Sequence, residues 1–159
     1  MKFNSQICTT KEQSERLLAL GLRKGTADMY YTNASLPFEK DKFHLECKDN
    51  LQLQKEVVFQ ICPFTFIPAW SLHRLIEMVP DKISYPTQYD SAPLRINKDS
   101  MYYLRRFFDR YGDEDFDTVG DNEAIGSHNI YDYAVSVIGF LIKEGHFNKE
   151  YLEEYDLQT

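Results

Sequence analysis

A chain of 159 residues, 43% hydrophobic and 14% aromatic, carries enough apolar material to bury a core and too much to remain disordered. Eighteen basic against 25 acidic residues leave a net charge of −7. Such a surface repels phosphate backbones and anionic lipid headgroups, which argues against nucleic acid or a membrane as the principal partner.

In chain order, "TTKEQSERLLALG" predicts the first helix. Thr10 can cap it, with Gln13 completing a capping box; Thr9 with Glu12 would serve as well. Ser14, Leu17, Leu18 and Gly21 share one narrow face, and Gly21 is a natural stop. In "GTADMYY", Thr26 can cap one further turn. "FHLEC" (43–47) alternates and predicts a short strand, with Phe43, Leu45 and Cys47 on one side and His44 and Glu46 on the other. "EVVFQIC" (56–62) is richer in β-formers and predicts a second strand.

"PAWSLHRLIEMVP" (68–80) holds the single tryptophan and a His–Arg pair, so it invites a chemical reading. The spacing explains it without one. With Ser71 as N-cap, Leu72, Leu75, Ile76 and Val79 form an apolar face, and Trp70 with Leu75 forms a hydrophobic staple. His73, Arg74 and Glu77 fall on the other face, and Pro80 stops the helix. "PLRINKDSMYYLRRFF" (93–108) predicts a hairpin turning at Asn97 to Ser100. The acidic "DRYGDEDFDTVGDNE" (109–123) predicts an exposed loop. The last main helix starts from Asn129 and is apolar around most of its circumference from Ala134 to Ile142, which predicts a buried central element ended by Gly145. "NKEYLEEY" (148–155) predicts a short charged helix capped by Asn148.

Cys8, Cys47 and Cys62 are odd in number, far apart and without a C-x-x-C pair, the pattern of reduced thiols in a cytosol. "MKFNSQICTT" has no apolar stretch behind its lysine, so no signal peptide is expected. The longest apolar run, "AVSVIGFLI", is about half of what a bilayer span needs. The expectation is one globular domain over residues 1–159 of a cytoplasmic protein, in the α+β class, with a small antiparallel sheet and two main helices packed on it.

Three blocks, "TTKEQSERLLALGLRKGTADM", "IPAWSLHRLIEMVP" and "LIKEGHFNKEYL", together resemble a family of small uncharacterised proteins from prophages and other mobile elements of gut bacteria. The blocks cover under a third of the chain. The resemblance implies a bacterial, intracellular accessory protein. It implies no reaction and transfers no catalytic or binding residue.

Three stretches mimic functional motifs. "HLEC" (44–47) has the H-x-E of zinc deaminases, but the P-C-x-x-C partner is missing and a strand would point His44 and Cys47 to opposite faces. "DEDFDTVGDNE" (113–123) places Asp113, Asp115 and Asp117 as in a calcium loop, but Thr118 and Ala124 stand where glycine and a bidentate glutamate are needed. "YYLRRFFDR" (102–110) interleaves aromatics with Arg105, Arg106 and Arg110, as single-strand nucleic-acid surfaces do. No phosphate-binding loop, nucleophile elbow or zinc-protease helix occurs. The reading is a non-catalytic accessory protein that binds an unidentified protein partner and needs no cofactor or metal. Tyr102, Tyr103, Arg105 and Arg106 are the candidate anchors wherever they stay exposed. The alternatives are a nucleic-acid-associated protein using the same strand, and a small hydrolase whose site is scattered.

Overall fold

A computed structural model describes residues 6–33, 43–47, 66–85 and 91–153. The fold is α+β, with two antiparallel sheets and three α-helices among these residues. The chain divides into two compact units, Met1–Arg74 with Glu153–Thr159, and Leu75–Leu152.

In the first unit α1 spans Lys11–Ala19. The Thr10 hydroxyl accepts from the Gln13 amide at 3.2 Å, and the Gln13 side chain accepts from the Thr10 amide at 2.9 Å. Both halves of the predicted capping box are therefore made. At the far end Gly21 takes φ 90°, the Leu22 amide reaches Leu17 O at 3.1 Å and the Gly21 amide reaches Leu18 O at 2.9 Å. These two bonds satisfy the last carbonyls, and Leu17 and Leu22 bury completely beside them. Leu18, expected on the same face, is only partly covered.

The expected helical turn at "GTADMYY" is instead a 3-10 turn, Lys24–Thr26, followed by strand β1, Met29–Thr32. The Thr26 hydroxyl donates back to Arg23 O at 2.7 Å and so caps nothing downstream. The Met-Tyr-Tyr-Thr run meanwhile finds a strand on each side. β2 (His44–Cys47), the strand expected at "FHLEC", pairs on one edge and β3 (Phe66–Ala69) on the other, giving the order β2-β1-β3. Met29 lies opposite Cys47 and Ala69, and Thr32 lies opposite His44 and Phe66. Helix α1 packs on β3. The strand expected at 56–62 lies outside the described residues.

Helix α2, Leu72–Met78, begins as its spacing predicts: the Ser71 hydroxyl accepts from the Arg74 amide at 3.2 Å. Leu75 and Met78 are buried in it and Val79 just beyond its end, while His73 and Glu77 face solvent. Two details correct the predicted face. Leu72 and Ile76 are only partly covered, and Arg74 turns inward to donate from Nε to Thr26 O at 2.9 Å.

The second unit holds a four-stranded sheet in the order β4 (Lys82–Ser84), β5 (Ser91–Ile96), β6 (Met101–Phe108), β7 (Glu114–Val119), each strand antiparallel to the next. The β5–β6 hairpin turns where predicted, and Asn97 N bonds Ser100 O at 2.9 Å. The acidic stretch corrects the expectation of a loop. Residues 114–119 form β7, in register with β6 from Tyr103 opposite Val119 to Phe108 opposite Glu114. Asp and Glu are poor strand formers by composition, but here they alternate with Phe116 and Thr118 and meet arginines across the ladder.

Helix α3, Ile130–Lys143, packs on β6. Asn129 caps it by accepting from Tyr131 N at 3.0 Å, and Gly145 ends it at φ 75°. Every residue from Ala134 to Ile138 is buried, more than one full turn, as expected of a central helix. Where β7 ends, Gly120 takes φ 93° and lies so close to α3 that a Cβ would sit 3.3 Å from Val137 Cγ2. The Ser136 hydroxyl ties this approach by donating to Gly120 O at 2.8 Å and accepting from Glu123 N at 3.2 Å. Of the final charged helix expected at 148–155, the described residues form one 3-10 turn, Lys149–Tyr151, capped by Asn148.

Candidate functional site

Three places invite a functional reading: the polar network at Trp70, a shallow cavity, and the outward face of the four-stranded sheet.

The network at Trp70 is fully internal to the first unit. Trp70 is wholly buried, and its indole N–H donates to Thr26 Oγ1 at 3.0 Å. Its backbone exchanges two bonds with Thr9, to the hydroxyl at 3.0 Å and from the amide at 2.9 Å. Thr9 Oγ1 also meets Ser14 Oγ at 2.8 Å. Asp28 accepts from both the amide and the hydroxyl of Ser71. A serine bonded to an aspartate superficially resembles an activated nucleophile. Here the Ser71 oxygen is held as a helix cap by the Arg74 amide, and no histidine is among its partners. Each group is paired because a buried polar atom left alone is costly, and the result is a brace.

The cavity, about 310 Å³, lies in the second unit and is lined by Glu77, Pro80, His146, Asn148, Tyr151 and neighbouring apolar groups. His146 packs edge-on against Tyr85, with centroids 5.8 Å apart. The lining includes no serine, threonine, cysteine or lysine. On β2, His44 Nε2 and Glu46 Oε1 lie 3.2 Å apart, as their shared strand face predicts. No group of three His, Cys, Asp or Glu among the described residues is placed to hold a metal ion, and no described helix is long and apolar enough to cross a membrane.

The sheet face is different. Strand alternation puts Tyr102, Leu104, Arg106 and Phe108 of β6 on one side and Met101, Tyr103, Arg105 and Phe107 on the other. The four sequence-predicted anchors therefore separate. Tyr103 is wholly buried, and its hydroxyl donates to Pro80 O at 2.7 Å. Burial, and secondarily the negative charge of Asp81, push its phenol far above the ordinary tyrosine range, so it remains a neutral donor. Tyr103 offers nothing to a partner. Arg105, on the same side, is half-buried, meets Asp117 at 3.5 Å and lies over the Tyr85 ring at 5.7 Å. Its Nε and Asp121 Oδ1 are buried with no hydrogen-bond partner among the described residues.

Tyr102 and Arg106 remain on the outward side. Register places Arg95 beside Tyr102, and Phe116 directly opposite Arg106. Arg106 bonds Glu114 at 3.0 Å and lies 5.9 Å from the Phe108 ring. Phe108 is 54% exposed, Phe116 55%, and Tyr111 at the hairpin tip 74%. The tip is well formed. The Asp109 carboxylate accepts from the amides of Tyr111 and Asp113 at 2.8 and 2.9 Å, Gly112 supplies φ 86°, and Arg110 lies over Tyr111 at 4.8 Å. Sequence reasoning missed Phe116 and Tyr111 because their stretch read as loop. The available signal was Phe116 alternating with Asp115 and Asp117, a period of two inside an acidic run.

Comparison with known proteins finds no matching family model, no similar curated protein and no similar solved structure.

Proposed function

We propose that the protein is a non-catalytic accessory protein that acts by binding another protein through the outward face of the β6–β7 ribbon. The observation that carries this reading is the gathering of Phe108, Tyr111 and Phe116, each more than half exposed, beside Arg106 and Arg110 on one well-formed hairpin. Large exposed apolar side chains clustered together lose free energy to water, and a partner that covers them recovers it. Aromatic and arginine side chains are the types enriched in interface cores, and the Arg106–Glu114 pair, being exposed, binds Arg106 weakly enough to be redirected. The resemblance of three sequence blocks to mobile-element proteins supports an accessory role in a bacterial cell.

A second reading rests on the same residues: aromatics and arginines on a sheet face can stack and hold single-stranded nucleic acid. Glu114, Asp113, Asp115 and Asp117 on the same ribbon oppose a polyanion. The experiment is affinity capture from host cells with the native chain and with Phe108→Ser/Phe116→Ser, alongside binding to DNA and RNA at moderate salt. We expect a captured protein that the double variant loses, and no tight nucleic-acid binding. Micromolar or tighter binding to single strands, lost on Arg106→Ala with Arg110→Ala, overturns the proposal in favour of the second reading.

A further inference from the structure

β7 is the last strand of its sheet, so one of its edges is unpaired among the described residues. The register tells which backbone groups lie on that edge. Asp109 N bonds Asp113 O, and the pairing of β6 with β7 continues this ladder. In an antiparallel ladder, directly opposed residues alternate between bonded and non-bonded pairs. Asp115, Asp117 and Val119 therefore direct their amides and carbonyls to β6, while Glu114, Phe116 and Thr118 direct theirs outward. The side chains divide in the same way: Glu114 and Phe116 join Arg106 and Phe108 on the outward face, and Asp115 and Asp117 lie on the other.

We infer that β7 accepts an extended segment of a partner protein as an added strand, and that the segment alternates basic with apolar residues. This inference rests on the proposed protein-binding role of the ribbon and names the chemistry of the partner. The apolar side chains of such a segment lie beside Phe116 and Thr118, and its cationic ones beside Asp115 and Asp117. From Arg105 to Thr118 the ribbon carries five carboxylates against three arginines, so the complement is basic. A second copy is disfavoured as the occupant. Two β7 strands side by side would set acidic side chains against acidic ones, and like charges directly opposite each other destabilise a sheet. The edge also has a guard. Asp115 Oδ1 accepts from Phe116 N at 2.8 Å and closes that outward donor. A lysine ammonium draws the carboxylate to itself and frees the amide, whereas a neutral or acidic strand cannot. Charged edges of this kind prevent indiscriminate strand addition.

The test uses the full chain and synthetic peptides of about eight residues, a strand's length. One peptide alternates lysine with valine, one alternates glutamate with valine, and one has the lysine–valine composition arranged in two blocks. The alternating basic peptide should bind about tenfold or more tighter than either control, the scale of one lost hydrogen bond or ion pair. On binding, the Glu114 and Thr118 amides should exchange with solvent more slowly, while the inward Asp115 and Asp117 amides stay unchanged. Thr118→Pro removes an outward amide without touching the β6 ladder and should weaken binding about tenfold. Asp115→Asn should weaken it as well, and keeps the test open if the proline variant does not fold. Equal binding of the alternating and block peptides, or unchanged exchange at Glu114 and Thr118, overturns strand addition. A host protein whose capture is lost with Phe108→Ser/Phe116→Ser but kept with a folded Thr118→Pro leaves the face reading standing and removes this one alone.

Discussion

Trp70 and Phe116 are treated in opposite ways by the fold. Around Trp70, Thr9, Thr26, Asp28, Ser71 and Arg74 converge from distant parts of the first unit, and the bonds that join them close inward. Around Phe116 the neighbours are exposed, the ion pairs are long or solvent-washed, and more than half of the aromatic surface faces water. The difference teaches that a concentration of rare and polar residues need not be a site. A buried tryptophan at a chain crossing demands polar partners simply to satisfy its N–H and the backbone around it. A run of acids that looks like solvent-exposed loop can instead hold the surface that a partner would read.

The sharpest way to break the comparison is to truncate both aromatics. Trp70→Ala should destabilise the fold by roughly 3–5 kcal/mol, the cost of emptying a large buried site, whereas Phe116→Ala should stay within about 0.5 kcal/mol. Denaturant unfolding measures both, and a large loss at Phe116 would make it a core residue. Gly120→Ala comes next. The residue would have to hold φ 93° and push its methyl group to 3.3 Å from Val137 Cγ2, so a loss of roughly 1–3 kcal/mol is expected where β7 meets α3. A neutral outcome would mean that this junction is loose and the ribbon poorly anchored.

A third test uses alkaline pH. In the unfolded chain tyrosine ionises near pH 10, by the usual value. Folded Tyr103 holds its proton well above that, and burial raises Tyr30 in the same direction. Above about pH 10 the unfolded chain therefore binds fewer protons than the native one, and stability falls as pH rises. Below that range the two states are equally protonated at these groups and the contribution is fully present. Tyr103→Phe should flatten the alkaline decline while lowering stability at neutral pH, because Pro80 O loses its donor. An unchanged alkaline slope would show that Tyr103 is not enclosed. The smallest effects are expected around α2. Asp28→Ala should cost about 1–2 kcal/mol through its bonds to Ser71 at the helix start, and His73→Ala less than about 0.5 kcal/mol. Equal losses from these two variants would undo the assignment of His73 to solvent.

Local chemistry was legible in the amino-acid sequence, because it acts over a few residues. The capping box at Thr10 and Gln13, the Ser71 and Asn129 caps, the glycine stops at Gly21 and Gly145 and the hairpin at Asn97 to Ser100 all follow from groups that meet within one turn. The α+β class followed from the mixture of periods, and the buried central helix from apolar residues around most of its circumference. What the sequence did not disclose depends on partners distant in the chain. Met29–Thr32 became a strand because β2 and β3 border it on both sides, and Arg74 turned inward because Thr26 O lies within its reach. Residues 114–119 became a strand because β6 offered a ladder with arginines set against their acids, a gain that composition cannot register. Only the tertiary structure decided which face of β6 stays in water. The alternation separates Tyr102 and Arg106 from Tyr103 and Arg105, but the packing of α3 on that sheet selects the side on which Tyr103 is buried.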